Sequence, residues 1–321
     1  MTKILVGSPY LETRYPMPCF NEEATLAYSL DQIPKTFHGI DEIEFLIIND
    51  GSTDKTVEVA KDWGVHKVVG FSKNKGLAKA FMLGIENAIA MGADIIVNTD
   101  ADNQYEAQDI QKLIDPILQK KADIVVGERP IGDIEHFSPI KKVLQKLGSW
   151  VVRRVSNTQV QDAPSGFRAL SRDAALSINV FSSYTYTLET IIEAGQKNMS
   201  VVSVPIRVNQ DLRPSKLVKS IPDYIKKQLV TIVRIFVLYK PFRFFMTIGV
   251  FLMIPGLFLG FRFVYFALTG DGKGHVQSLI LAAVLVLASY QTMMLAFVAD
   301  LLSVNRRLIE KLNALIKSSS S

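Results

Sequence analysis

Two apolar stretches near the end of the chain, residues 244–268 and 278–299, set the first constraint on what it can fold into. Each exceeds the roughly 20 residues that a helix needs to cross a bilayer. Arg262 lies near the end of the first stretch, where a long cation reaches the interface. The connection 269–277 is short and polar. Lys226, Lys227, Arg234, Lys240 and Arg243 precede the pair, and Arg306, Arg307, Lys311 and Lys317 follow it. Cations favour the cytoplasmic side of such segments, so both flanks, and the large N-terminal part with them, are expected in the cytoplasm of a multi-pass membrane protein. A buried helical hairpin in a soluble protein is the alternative; lengths and flanks together fit spanning better.

Composition agrees. The chain of 321 residues is 48% hydrophobic and 21% charged, with a mean hydropathy of +0.20, which is too apolar for an ordinary soluble protein. Its net charge of +5 is unevenly placed: residues 1–211 carry 22 Lys+Arg against 27 Asp+Glu, whereas residues 212–321 carry 14 against 4. The basic part is thus the membrane-flanking part, which points to anionic lipid rather than nucleic acid. The single cysteine, Cys19, excludes an internal disulfide framework and fits a reducing compartment. The apolar run at the N-terminus is too short for a signal peptide.

Up to residue 211 the chain alternates strand and helix patterns. Strands are expected over 44–49, 94–98, 123–127 and 200–208, and helices over 55–63, 76–91, 107–119 and 187–197. Asp54 caps the first of these helices and Gly92 closes the second. Such alternation predicts an α/β domain with a mostly parallel sheet, whose ligands gather at the carboxyl ends of the strands. Between 212 and 242, Ile221, Tyr224, Ile225, Leu229, Ile232, Ile235 and Phe236 recur at helical spacing among lysines and arginines. That pattern predicts a basic amphipathic juxtamembrane helix, or an ordinary helix packed on the domain. A membrane hairpin over 243–303 and a basic cytoplasmic tail over 304–321 complete the expected organisation.

Four polar motifs occur in order, each at a strand-to-helix junction. Pro18-Cys19-Phe20-Asn21-Glu22-Glu23 is a turn with Glu22 opening a helix. Asn49-Asp50-Gly51-Ser52-Thr53-Asp54 follows an apolar run, and Asp50 leaves a strand into a glycine turn. Asn74-Lys75-Gly76-Leu77-Ala78-Lys79-Ala80 opens a helix of small residues. Asp100-Ala101-Asp102-Asn103-Gln104 places three oxygen-bearing side chains at alternate positions after the run 95–97. Alone, the first reads better as an acidic helix start and the third as a tightly packed helix, while the second reads equally as a capped turn or a nucleotide contact. The fourth suits Mg²⁺ or Mn²⁺ holding a diphosphate.

Taken together these motifs resemble the family 2 glycosyltransferases with the nucleotide-sugar-binding fold called GT-A. Within that family the chain is similar to the polyprenyl-phosphate monosaccharide synthases, the group of the dolichyl-phosphate mannose synthases and undecaprenyl-phosphate glucosyltransferases. The resemblance implies donor contacts from Pro18, Phe20, Asn21, Glu22, Asp50, Lys79 and Asp100. It implies a metal and diphosphate site at Asp100, Asp102 and Gln104. Val126-Gly127-Glu128-Arg129 and Ser165-Gly166-Phe167-Arg168 match segments whose arginines face phosphate, so Asp102, Arg129 and Arg168 are the expected catalytic residues. Arg168 with Arg213, Ser215 and Lys216 of Arg213-Pro214-Ser215-Lys216 would hold the acceptor phosphate. For each arginine a surface ion pair is the plain alternative.

One departure stands out. The family runs an apolar strand into its first loop, whereas here Leu11-Glu12-Thr13-Arg14-Tyr15-Pro16-Met17 intervenes with prolines that disfavour a central strand. Either residues 3–6 form that strand with an insertion after them, or the N-terminus is atypical.

The implied activity is inverting transfer of one hexose, mannose or glucose, from a nucleotide-sugar such as GDP-mannose or UDP-glucose to a polyprenyl phosphate at the cytoplasmic membrane face. Rival readings are a processive polysaccharide synthase, whose Gln-x-x-Arg-Trp motif is missing from this sequence, and a non-catalytic nucleotide-sugar-binding membrane scaffold. Sugar identity, prenyl length and homo-oligomerisation are not legible in the motifs.

Overall fold

A computed structural model describes residues 11–130, 139–180, 186–209, 230, 233–234, 236–270 and 272–320. It divides into two compact units, Met1–Gln228 with Ala314–Ser321, and Leu229–Asn313.

The first unit is an α/β layer structure. Its elements run β1 (Glu12–Cys19), α1 (Leu26–Asp31), β2 (Glu42–Asp50), α2 (Thr56–Trp63), β3 (Lys67–Phe71), α3 (Leu77–Ala90), β4 (Ile95–Asn98), α4 (Ile110–Leu118), β5 (Ile124–Glu128), α5 (Pro139–Ser156), β6 (Arg168–Ser171), α6 (Arg172–Ser177), α7 (Thr187–Gln196) and β7 (Val201–Pro205). The strands form one seven-stranded sheet in the order β3-β2-β1-β4-β6-β5-β7. Pairing is parallel except around β6, which runs antiparallel to both β4 and β5. The GT-A expectation of a mostly parallel sheet holds.

Alternation along the strands builds both faces. Tyr15, Met17 and Cys19 of β1 join Phe45, Ile47, Ile95 and Val97 in a buried cluster with Leu26 and Leu30 of α1 and Ile110, Leu113 and Ile114 of α4. On the opposite face α3 comes close: a Cβ added at Gly84 would lie 2.9 Å from the Pro16 Cβ. Each fully buried large apolar side chain here contributes roughly 1.5–3 kcal/mol.

The position of β1 corrects the sequence expectation. The segment with Pro16 and Pro18 is itself the strand, and it is interior, paired with β2 over its whole length from Glu12↔Glu42 to Cys19↔Asn49. The even-numbered residues turn their backbone polar groups toward β4, as the Glu12 carbonyl does in accepting from the Asp94 N–H at 2.9 Å. Pairing with β4 is confined to Thr13↔Ile95 and Arg14↔Ile96. The two prolines therefore lack their N–H groups on a side where no ladder bond is made. Arg14, only 4% exposed, is balanced by Glu12 and Glu44 at 2.7 and 2.6 Å.

Other differences are smaller. Glu22 does not open a helix; its carbonyl accepts from the N–H groups of Thr25 and Leu26, and α1 starts at Leu26. β3, β6, α5 and α6 were not evident from periodicity. The N-cap of α2 is Lys55 and not Asp54, which accepts from the Thr56 N–H from one residue further back, and Gly92 ends α3 at φ 89°.

The second unit carries α8 (Pro241–Leu268) and, as far as Asn313, α9 (Val276–Ser320). Both are long and apolar enough to cross a membrane, over Pro241–Leu268 and Val276–Ile309. Phe251, Phe258, Phe261 and Leu287 point outward and are largely exposed. Gly249 and Gly256 allow α8 to approach α9 closely: a Cβ at Gly249 would lie 2.6 Å from Met293 Cγ, and one at Gly256 would lie 3.0 Å from Val286 Cγ2. Buried Ser289 donates its hydroxyl to the Gly249 carbonyl at 2.7 Å, the kind of small-residue and hydroxyl packing that apolar surroundings favour. Residues 304–320, read as a separate tail, continue α9 without a break. Most of the basic amphipathic segment 212–242 lies outside the described residues.

Candidate active site

The four motifs meet at the carboxyl ends of β1, β2 and β4. After β1, Asn21 takes a left-handed conformation (φ 55°), which asparagine tolerates. Its N–H donates to Ser52 Oγ at 3.0 Å and its Oδ1 accepts from the Thr53 N–H at 2.8 Å. The Glu22 N–H donates to Thr56 Oγ1 at 2.8 Å, and the Glu22 carboxylate accepts from Thr25 Oγ1 at 3.0 Å. The loops after β1 and β2 are thus stitched into one surface, on which Phe20 is 38% exposed while Pro18 ends inside β1.

Asp50, buried at the end of β2, accepts from the N–H groups of Lys75 and Gly76 at 2.7 and 3.0 Å. Gly51 (φ 73°) makes this possible: an added Cβ would fall 2.4 Å from the Lys73 carbonyl carbon. Asp50 therefore fixes the third motif to the second. Lys79 stands exposed on the first turn of α3.

After β4 come the acidic residues. Asp100 and Asp102 are half-buried, and Asp102 Oδ1 accepts from the Gln104 N–H at 3.2 Å around the left-handed Asn103. Loss of hydration, and then the Asp102 charge, raise the Asp100 carboxyl to about 7, against the opposing influence of Arg129 and a hydrogen bond from Tyr105. The loop is clamped from the chain after β7. The Asn209 N–H donates to the Gln104 carbonyl at 2.9 Å, and Asn209 Nδ2 donates to the carbonyls of Asn103 and Tyr105 at 3.1 and 3.2 Å.

A divalent cation fits this donor set. Mg²⁺ and Mn²⁺ are commonly held by one or two carboxylates plus substrate phosphate oxygens, a number that Asp100 and Asp102 meet. Burial first and the neighbouring Asp102 charge second raise the Asp100 carboxyl, and a cation between the two carboxylates would offset both. Among the described residues no group of three or more His, Cys, Asp or Glu side chains comes together, so the ligand supply from acidic side chains stops at two.

The two expected arginines sit deeper than the sequence suggested. Arg129 is buried and forms a two-pronged ion pair with fully buried Asp162, Nε to Oδ2 at 2.6 Å and Nη2 to Oδ1 at 3.0 Å. Arg168 is 1% exposed. It donates to the carbonyls of Ser165 and Ala163 at 2.8 and 2.7 Å and to Thr190 Oγ1 at 2.5 Å, and burial lowers it to about 10. Its guanidinium thus braces the 163–165 loop, where the sequence reading sets it against phosphate. Arg213, Ser215 and Lys216 lie outside the described residues.

Several neighbours were not singled out from sequence. Asn98 Nδ2 donates to the Gly166 carbonyl at 2.8 Å and to Tyr186 Oη at 2.9 Å. Tyr105 Oη accepts from the Gly166 N–H at 3.1 Å. Asp162 had one available signal: a buried arginine needs a buried carboxylate.

A family model described as glycosyl transferase family 2 matches residues 17–178. The chain is 30% identical to a UDP-N-acetylglucosamine–dolichyl-phosphate N-acetylglucosaminyltransferase of Methanococcus voltae, over 60% of this chain and 83% of that protein. It is 25% identical to a polyprenol monophosphomannose synthase of Mycolicibacterium smegmatis, over 65% of this chain and 82% of that one. Among solved structures it is similar in fold to glucosyl-3-phosphoglycerate synthase from Mycobacterium tuberculosis in complex with Mn²⁺, UDP and glucosyl-3-phosphoglycerate. That likeness has a TM-score of 0.56 at 19% identity, covering 71% of this chain and 79% of that one. The fold, the motif order and the matched span agree: the chain belongs to glycosyl transferase family 2.

Proposed function

We propose that the protein moves one hexose from a nucleoside-diphosphate sugar to a polyprenyl phosphate at the cytoplasmic face of a membrane, inverting the anomeric centre. The observation that carries this reading is the Asp100–Asp102 pair at the end of β4, in a chain of this family that also bears two helices apolar enough to span. Relatives named for dolichyl phosphate and polyprenol as acceptors support the lipid assignment.

The chain's own residues have distinct tasks. The surface made by Phe20, Asn21 and Glu22 with the turn after Asp50 holds the nucleoside. Asp100, Asp102 and Gln104 would hold Mg²⁺ or Mn²⁺, which supplies charge neutralisation for the departing diphosphate. Arg129, held by Asp162, adds a fixed positive field beside Asp100. Arg168 positions the 163–166 loop. Arg213, Ser215 and Lys216 carry the acceptor phosphate. An oxygen of that phosphate attacks the anomeric carbon as the carbon–oxygen bond to the diphosphate breaks. A phosphate monoester has its second pKa near ~6, so it is largely ionised at neutral pH and no general base is assigned.

Membranes containing the full chain, given labelled nucleotide-sugars one at a time with polyprenyl phosphate, should transfer label into the lipid fraction with at least one donor. Label in a polymer would establish the processive alternative, and donor binding without turnover the scaffold alternative.

A further inference from the structure

Tyr105 directly follows the acidic motif, and the activity as proposed gives it no task. It is 5% exposed, and its ring stacks on Phe167 with centroids 4.9 Å apart and planes within 6°. Its hydroxyl accepts from the Gly166 N–H at 3.1 Å and lies beside the Asp100 carboxylate. Gly166 is held at its other end by Asn98, and it is crowded on the acidic side: a Cβ there would lie 3.0 Å from Asp100 Oδ2. One phenol oxygen therefore bridges two motif loops that are 61 residues apart in sequence.

We infer that Tyr105 is a positioning residue for metal and diphosphate binding: its hydroxyl holds the Gly166 backbone against Asp100 and so fixes which carboxylate oxygen faces the ligand. Groups in the shell around a ligating carboxylate typically set its orientation, and removing one costs about 10–100-fold in metal affinity. The inference rests on the reading of Asp100 as a metal ligand.

The test titrates Mn²⁺ into the detergent-solubilised full chain with UDP present, and again with GDP, and reads free Mn²⁺ by electron paramagnetic resonance without turnover. Asp100→Asn should lose binding, and Tyr105→Phe should weaken it about 10-fold or more. Tyr186→Phe removes a neighbouring phenol oxygen that bonds Asn98 and keeps its stack on Phe81, so it should stay within about 3-fold. Phe167→Leu removes the stack and keeps the Tyr105 hydroxyl; its defect should be smaller than that of Tyr105→Phe. Loss in Asp100→Asn with wild-type affinity in Tyr105→Phe overturns the inference alone. So does an equal or larger defect in Phe167→Leu or Tyr186→Phe. Undiminished binding in Asp100→Asn overturns the metal reading itself, and the inference with it.

Discussion

Arg129 and Asp162 face one another across 33 residues of chain in a buried, two-pronged ion pair. Removing one partner leaves the other charge buried and uncompensated, which costs about 3–5 kcal/mol. Asp162→Ala should lower the stability of the catalytic unit by that amount in urea unfolding. The double change Arg129→Met with Asp162→Leu should recover much of the loss while transfer stays impaired. Full activity in the double variant would remove Arg129 from the proposed site.

Asp102→Asn keeps the side-chain shape and removes one charge from the acidic pair. Label transfer to lipid should fall at least about 100-fold with an unchanged thermal midpoint, the range seen when a transition-state electrostatic contact is lost. Lys216→Ala should instead raise the KM for polyprenyl phosphate more than that for the donor. Equal changes in both KM values would argue against an acceptor role.

Asp109 sets an acid limit on stability. Burial pushes its carboxyl up, but the Arg207 guanidinium and N–H, with Lys112, outweigh that and hold it at about 2 against an ordinary 3.8. Its folded value is depressed, so its contribution is complete above the unfolded value and is lost as pH falls from about 4 toward 2. The thermal midpoint of the wild type should drop over that window. Asp109→Asn should start lower at neutral pH and show a shallower acid limb.

Gly51→Ala forces a side chain into a left-handed backbone and against the Lys73 backbone 2.4 Å away. Unfolding free energy should fall by about 1–3 kcal/mol. Nucleotide binding should weaken with it, because the Asp50 contacts to Lys75 and Gly76 depend on that turn. Isothermal titration with UDP and GDP would measure the second effect; unchanged affinity would detach this turn from the donor site.

Much of this was readable in advance because repeated short-range chemistry writes itself into sequence. β2, β4 and β5 are apolar runs, and the motifs fall at strand ends because ligand loops do. What was hidden depends on partners distant in the chain. Pro16 and Pro18 argue against a central strand unless one knows which side of β1 goes unpaired. β6 begins with Arg168, a poor advertisement for a buried antiparallel strand, and only its acceptors at Ala163, Ser165 and Thr190 explain its burial. The same holds for Asp162, whose purpose is visible only once Arg129 is placed beside it.

Beyond Arg14↔Ile96, β1 and β4 part company inside an otherwise continuous sheet. The result is a fork whose two tines end in the Asn21 loop and the Asp100 loop, at the place where strand order reverses. Sheets of this kind admit ligands at such a reversal. Two prolines that look like faults in a strand thus act as a zip stop, keeping the mouth of the fork from lacing shut.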